Sequence, residues 1–225
     1  MKFKYRLYTG LLIVVLLLTL PYVWQLFGIL FMSPTVSVLS QLELYQWVAV
    51  GIVIAVVIGR FTNKNLSWLE TFSHESAHTV MALLFLRRVH SFHADEGSGV
   101  VFTSGTTRTG LIPMALAPYC LPIFTYLLLF LRPLIDFHSV WIFDILIGMS
   151  LAFHVRCFKH QTGNHQSDIN QYPLFFSYTY IYLARLINCC IIVVAFFPRY
   201  NVFSSIWRWL CALYDNLISF FGWIF

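Results

Sequence analysis

Charge is the scarcest commodity in this sequence. Only 10% of the 225 residues are Asp, Glu, Lys or Arg, and nine are acidic. An average soluble domain is about 25% charged. So few charges cannot clothe the surface of a water-soluble globule. Low hydrophobicity with high charge, the mark of disorder, is also missing. No basic run is long enough to serve as a nucleic-acid footprint, so nucleic acid is not an expected partner. No Cys-x-x-Cys pair occurs among the five cysteines, and most of them lie in apolar stretches, which favours small buried hydrophobes over a disulfide framework or a thiolate metal site. Internal repeats and low-complexity tracts are absent.

What is abundant is apolar. Hydrophobic residues make up 59% and aromatics 18%, and mean hydropathy is +0.76. A span takes about 20 apolar residues, so the expected fold is an all-α polytopic membrane protein with about six transmembrane helices. The expected spans are residues 7–32, kinked at Pro21, then 44–59, 68–86, 111–131, 140–157 and 173–197. Lys2, Lys4 and Arg6 before the first span read as a retained signal anchor. With Arg60 and Lys64 they place the N-terminus and the second loop in the cytoplasm.

Residues 89–109 break the helical pattern. Short β-favouring runs flank the turn Asp95-Glu96-Gly97-Ser98-Gly99, which predicts a small membrane-associated β-hairpin. Three regions follow: an N-terminal two-span anchor region (1–65), a membrane core (66–198), and an aromatic-rich tail (199–225) that is an interfacial helix or a further short span.

Ionisable groups at membrane depth are expensive and point to function. The densest group is His74-Glu75-Ser76-Ala77-His78. Residues four apart share a helix face, so His74 and His78 can ligate one ion. Glu75 follows the first ligand, where it can act as general base on a water acidified by the metal. A catalytic zinc site needs a third protein ligand. The residues leave three candidates: Asp168 before the last core span, and His154 and Asp144 on the fifth. Three straight crossings would put Asp168 at the opposite end from His74, which favours Asp144 on simple topology.

The chain resembles the site-2-protease class of intramembrane zinc metallopeptidases, in particular its short bacterial peptidase-like branch. The likeness starts at His74-Glu75-Ser76-Ala77-His78 and runs through Met81-Ala82-Leu83-Leu84 and Arg88-Val89-His90-Ser91. It continues in Glu96-Gly97-Ser98-Gly99-Val100 and Ala115-Leu116-Ala117-Pro118-Tyr119, and ends at Ser167-Asp168. The Gly usual before the second His is replaced by Ser76-Ala77, and the Leu-Asp-Gly motif of better-known members is missing. The resemblance implies Zn2+ held by His74, His78 and Asp168, with Glu75 catalytic. It implies hydrolysis of a peptide bond in or next to a transmembrane segment of a membrane-protein substrate, in the lipid bilayer of a bacterial inner membrane, with membrane-protein partners. Val100–Thr103 is the expected strand edge for an extended substrate. Two other readings compete. One is a non-catalytic peptidase-like scaffold. The other is a di-iron lipid desaturase or hydroxylase using His74, His78, His154, His160 and His165, which the lack of any His-His pair disfavours.

Overall fold

The computed structural model describes residues 2–31, 38–61, 66–105, 110–136, 138–163, 166–196 and 202–224. Lys64 and His165 fall outside them, as do residues 106–109 of the non-helical segment. The described chain is mostly helical. In order it forms α1 (Lys2–Phe31), α2 (Val38–Phe61), α3 (Ser67–Leu84), β1 (Arg88–Asp95), β2 (Ser98–Ser104) and α4 (Leu111–Leu116). Then come α5 (Ile123–Leu131), α6 (Val140–Gln161), α7 (Ser167–Asn170), α8 (Leu174–Ala195) and α9 (Val202–Ile224).

Six straight spans are not what the helices support. Among the described residues three helices are long and apolar enough to cross a bilayer: Lys4–Gly28 in α1, and the whole of α6 and α8. A fourth exists only as a bent pair, Leu111–Tyr119 and Ile123–Leu134, which meet at 88°. Pro113, Pro118 and Pro122 explain the break, since proline removes a backbone donor and crowds the preceding turn. In α2, a helix of 24 residues, the stretch Tyr45–Phe61 is apolar. The 18-residue α3 falls short because Glu70, His74, Glu75 and His78 interrupt its apolar run. By contrast, α1 continues as helix through Pro21.

The hairpin forms where the β-branched residues and the glycine turn predict it. Its strands pair antiparallel from Arg88 with Ser104 to Asp95 with Ser98, with a bulge between Val89 and Ser91. Gly97 takes the turn position at φ +82, which L side chains rarely adopt.

Two glycines lock α2 onto α6. A Cβ on Gly51 would lie 2.0 Å from the Ile145 carbonyl oxygen, and one on Gly148 would lie 2.0 Å from that of Val48. The backbones touch at both crossings, so α6 has a fixed depth relative to α2. The tail helix α9 packs on α1 and α8, where Trp209 and Ala212 lie against Tyr22, Leu26, Cys190 and Val194. Asn216 Nδ2 donates to the Leu18 carbonyl, 2.9 Å away, near the middle of α1.

Several helix ends gather at one end of the bundle. The Tyr5 ring lies 5.7 Å from Tyr172 and 5.4 Å from Phe176, which brings the start of α1 to the start of α8. Arg156 Nη1 donates to the Gly59 carbonyl at 3.1 Å, and Arg156 Nε to Glu70 Oε1 at 2.7 Å. These contacts tie the ends of α2 and α6 to the start of α3. Arg6, Arg60, Arg156 and Lys159 therefore belong to the same end.

Candidate metal centre

Helix periodicity alone puts His74 and His78 on one face of α3, and their ring centroids are 4.9 Å apart. Asp168 arrives from α7, a single turn between α6 and α8. Asp168 Oδ2 lies 3.4 Å from His74 Nε2 and 3.4 Å from His78 Nε2. One ligand atom from each of the three residues falls within 4.8 Å of the others. Among the described residues this is the one group of three or more His, Cys, Asp or Glu side chains close enough to share an ion.

The second nitrogen of each imidazole is engaged. His78 Nδ1 lies 2.8 Å from the Met114 carbonyl oxygen. A carbonyl only accepts, so Nδ1 carries the proton and Nε2 keeps its lone pair for a metal. His74 Nδ1 lies 3.2 Å from Gln161 Oε1. The amide orientation is set by the other end of that side chain, whose Nε2 donates to the Glu70 carbonyl at 3.1 Å. Both histidines thus present a free Nε2 toward Asp168, the arrangement metal-ligating histidines generally adopt.

Burial by itself would raise the Asp168 pKa. When the two imidazoles also carry a proton on Nε2, their hydrogen bonds and charge outweigh it and hold the carboxyl well below the usual carboxylate range. Tyr119 adds a weaker contact, its hydroxyl donating to Oδ2 at 3.4 Å while its ring edge meets His74 at 5.4 Å. The donor set therefore fits a divalent cation such as zinc: two neutral imidazoles and one carboxylate, each held by a neighbour.

Glu75 is 6% exposed and lines the same cavity of about 640 Å³ as the three candidate ligands. The hairpin forms one wall, with Gly97 to Val101 and Thr103 of the β2 side facing in. Gly99 is pressed onto the acid: a Cβ there would lie 2.5 Å from Glu75 Oε1. Only a residue without a side chain permits that approach.

The other candidates lie elsewhere. Both oxygens of Asp144 are taken by Arg132, at 2.7 Å from Nε and 3.2 Å from Nη2. That pair joins the start of α6 to the end of the bent segment. The topological objection to Asp168 assumed a straight fourth span; that segment is instead bent by 88°, and Asp168 lies 3.4 Å from both imidazoles. His154 is on α6 away from the cluster, and its Nε2 is buried without a partner among the described residues. His160 Nδ1 faces Glu70 Oε1 at 3.2 Å, so it supports α3 from α6. In the hairpin, His93 pairs with its neighbour Asp95 at 2.6 Å in the open. Among the described residues, which do not include His165, these histidines join no further group of three metal-ligating side chains.

Sequence reasoning missed Gln161, Met114 and the contact role of Gly99. A glutamine in a polar loop and a backbone carbonyl carry no signature of their own. Gly99 was visible only as part of a turn.

A model described as Peptidase M50B-like matches residues 47–161, about half of the chain. The matched stretch includes His74, Glu75, His78, the hairpin and Gln161 and ends before Asp168. No curated protein and no solved structure matches the chain.

Proposed function

Because the chain belongs to the Peptidase M50B-like family, within the site-2-protease class, we propose that it is an integral-membrane zinc endopeptidase. It hydrolyses a peptide bond in or next to a transmembrane segment of another membrane protein. One observation carries this reading: two imidazoles with engaged Nδ1 atoms and a low-pKa carboxylate converge beside a buried glutamate. His74, His78 and Asp168 would hold the metal. When bound, zinc supplies Lewis acidity and lowers the pKa of water to about 7.

The chain's own groups do the remaining work. Glu75 takes the proton released as the nucleophile forms, then delivers it to the leaving amine nitrogen. Gln161 and the Met114 carbonyl keep the two rings in register throughout. Substrate must be extended here, because a helix hides its amide bonds. In the two-stranded sheet β2 has β1 on one side only, and its cavity-lining stretch around Val100 to Thr103 suits strand addition. Gly99 holds that strand against Glu75, which brings a paired substrate backbone to the acid. The basic helix ends at the site's end of the bundle put the centre near the cytoplasmic face of the membrane.

The test is metal content and cleavage in the purified full-length protein. One zinc per chain, with Glu75→Gln abolishing cleavage of a membrane substrate while retaining the metal, supports the reading. Protein without stoichiometric metal, or undiminished cleavage by Glu75→Gln, refutes it.

A further inference from the structure

A second cavity, of about 710 Å³, lies between α2, α3, α5 and α6, outside the metal centre. Its body is apolar, with Val56, Phe124, Met149 and Phe153 among the lining side chains. The one hydroxyl there, Ser150 Oγ, is committed to Thr125 Oγ1 and the Ile147 carbonyl, both at 2.8 Å. The body therefore offers nothing to a ligand that needs hydrogen bonds. Val56 and Val155, which also line it, are exposed, so it opens on the face where lipid lies.

One end of the groove is different. Arg60, Arg156, Lys159 and His160 all line it. Arg156 and His160 are compensated by the single carboxylate of Glu70. Arg60 and Lys159 are exposed, and neither has a hydrogen bond or ion pair among the described residues. Two uncompensated cations thus cap an apolar slot whose volume lies in the usual range for small-molecule sites. They sit at the basic end of the bundle, the end the positive-inside rule assigns to the cytoplasm. Anionic lipids concentrate in that leaflet.

The geometry points to a bound anionic phospholipid. Its acyl chain fills the slot along Val56, Phe124, Met149 and Phe153, and its phosphate lies between Arg60 and Lys159. A zwitterionic lipid brings its own cation to that spot and gains less. A peptide strand would leave its backbone groups unpaired against the apolar walls. His160 lines both this groove and the metal cavity, so the lipid head lies one side chain from the candidate centre. The inference does not depend on the metal or on proteolysis.

The experiment uses delipidated full-length protein in detergent, titrated with acyl-labelled phosphatidylglycerol and, separately, acyl-labelled phosphatidylcholine. Phosphatidylglycerol should bind more tightly. A basic residue near a membrane surface is worth about fivefold in binding, so Arg60→Gln and Lys159→Gln should each cost about that, and together ~30-fold. Binding of phosphatidylcholine should fall by less than that of phosphatidylglycerol. Lys4→Gln with Arg6→Gln, at the same end of the bundle but outside the groove, should leave both lipids unaffected. If the double groove variant misfolds, the two single variants carry the test. Equal affinity for the two lipids overturns the proposal. So does an equal loss in the Lys4/Arg6 variant, which would show a diffuse basic surface. Displacement of labelled lipid by an uncharged transmembrane peptide, insensitive to Arg60 and Lys159, overturns it in favour of a docked helix.

Discussion

Replacing Gln161 with Leu should weaken zinc binding without removing any ligand. Gln161 Oε1 accepts from His74 Nδ1 at 3.2 Å, and its amide nitrogen is tied to the Glu70 carbonyl at 3.1 Å. Leucine has similar bulk but no acceptor, so the Nδ1–H of a half-buried imidazole loses its partner and the ring loses its anchor. An orphaned buried donor costs about 1–3 kcal/mol. Loss of an outer partner of a metal-bound histidine costs about 10–100-fold in affinity, or about 1.4–2.8 kcal/mol. The two ranges agree, and the expected effect is a zinc Kd raised about 10–100-fold. Competition against a chelator of known affinity measures it, with the apo protein's thermal unfolding as the check on folding. Gln171→Leu is the control, because Gln171 lines the same cavity but is not hydrogen-bonded to any of the three candidate ligands. Unchanged zinc affinity in Gln161→Leu, or an equal loss in Gln171→Leu, refutes the reasoning.

Three other outcomes are expected. Asp168→Ala should lose the metal, whereas Asp144→Ala should keep zinc in the folded fraction but lower stability by about 3–5 kcal/mol, because Arg132 is left without its carboxylate; metal analysis beside denaturation separates the two. Gly99→Val should retain zinc yet lower turnover by about 100-fold, since the new Cβ displaces Glu75 and small misplacements cost that much; retained activity would show that Glu75 is not held by the hairpin. The depressed Asp168 carboxyl contributes stability to the metal-free protein above its ordinary titration range, and this is lost as pH falls through and below that range. Asp168→Asn should therefore flatten the acid limb of the apo protein's unfolding profile, and an unaltered limb would contradict the assigned pairing.

Parts of this arrangement are local in the chain and so legible in it. His74, Glu75 and His78 occupy adjacent positions on one helix, and 3.6-residue periodicity places the two histidines side by side whatever surrounds them. The hairpin is equally local, because β-branched runs on either side of Gly97 need only each other. The number of spans was less legible. Hydropathy counts apolar residues but does not register that Pro113, Pro118 and Pro122 turn one expected crossing into two helices at 88°. Nor does it show that α3 gives up apolar length to its four ionisable residues.

The sequence by itself determined the bilayer. A chain with 10% charged residues and 59% hydrophobic ones has no soluble solution. It also determined the two histidines and the acid between them, since helix geometry acts over four residues. Only the tertiary structure decided which carboxylate faces them. Asp144 and Asp168 are both acids near apolar helices, 70 and 94 residues from His74 in the chain. At that separation, packing rather than propensity chooses. Arg132 claims Asp144, while the bent fourth segment and the α6–α8 turn bring Asp168 to His74 and His78. The same packing supplied Gln161 and the Met114 carbonyl, whose contributions exist only where distant parts of the chain meet.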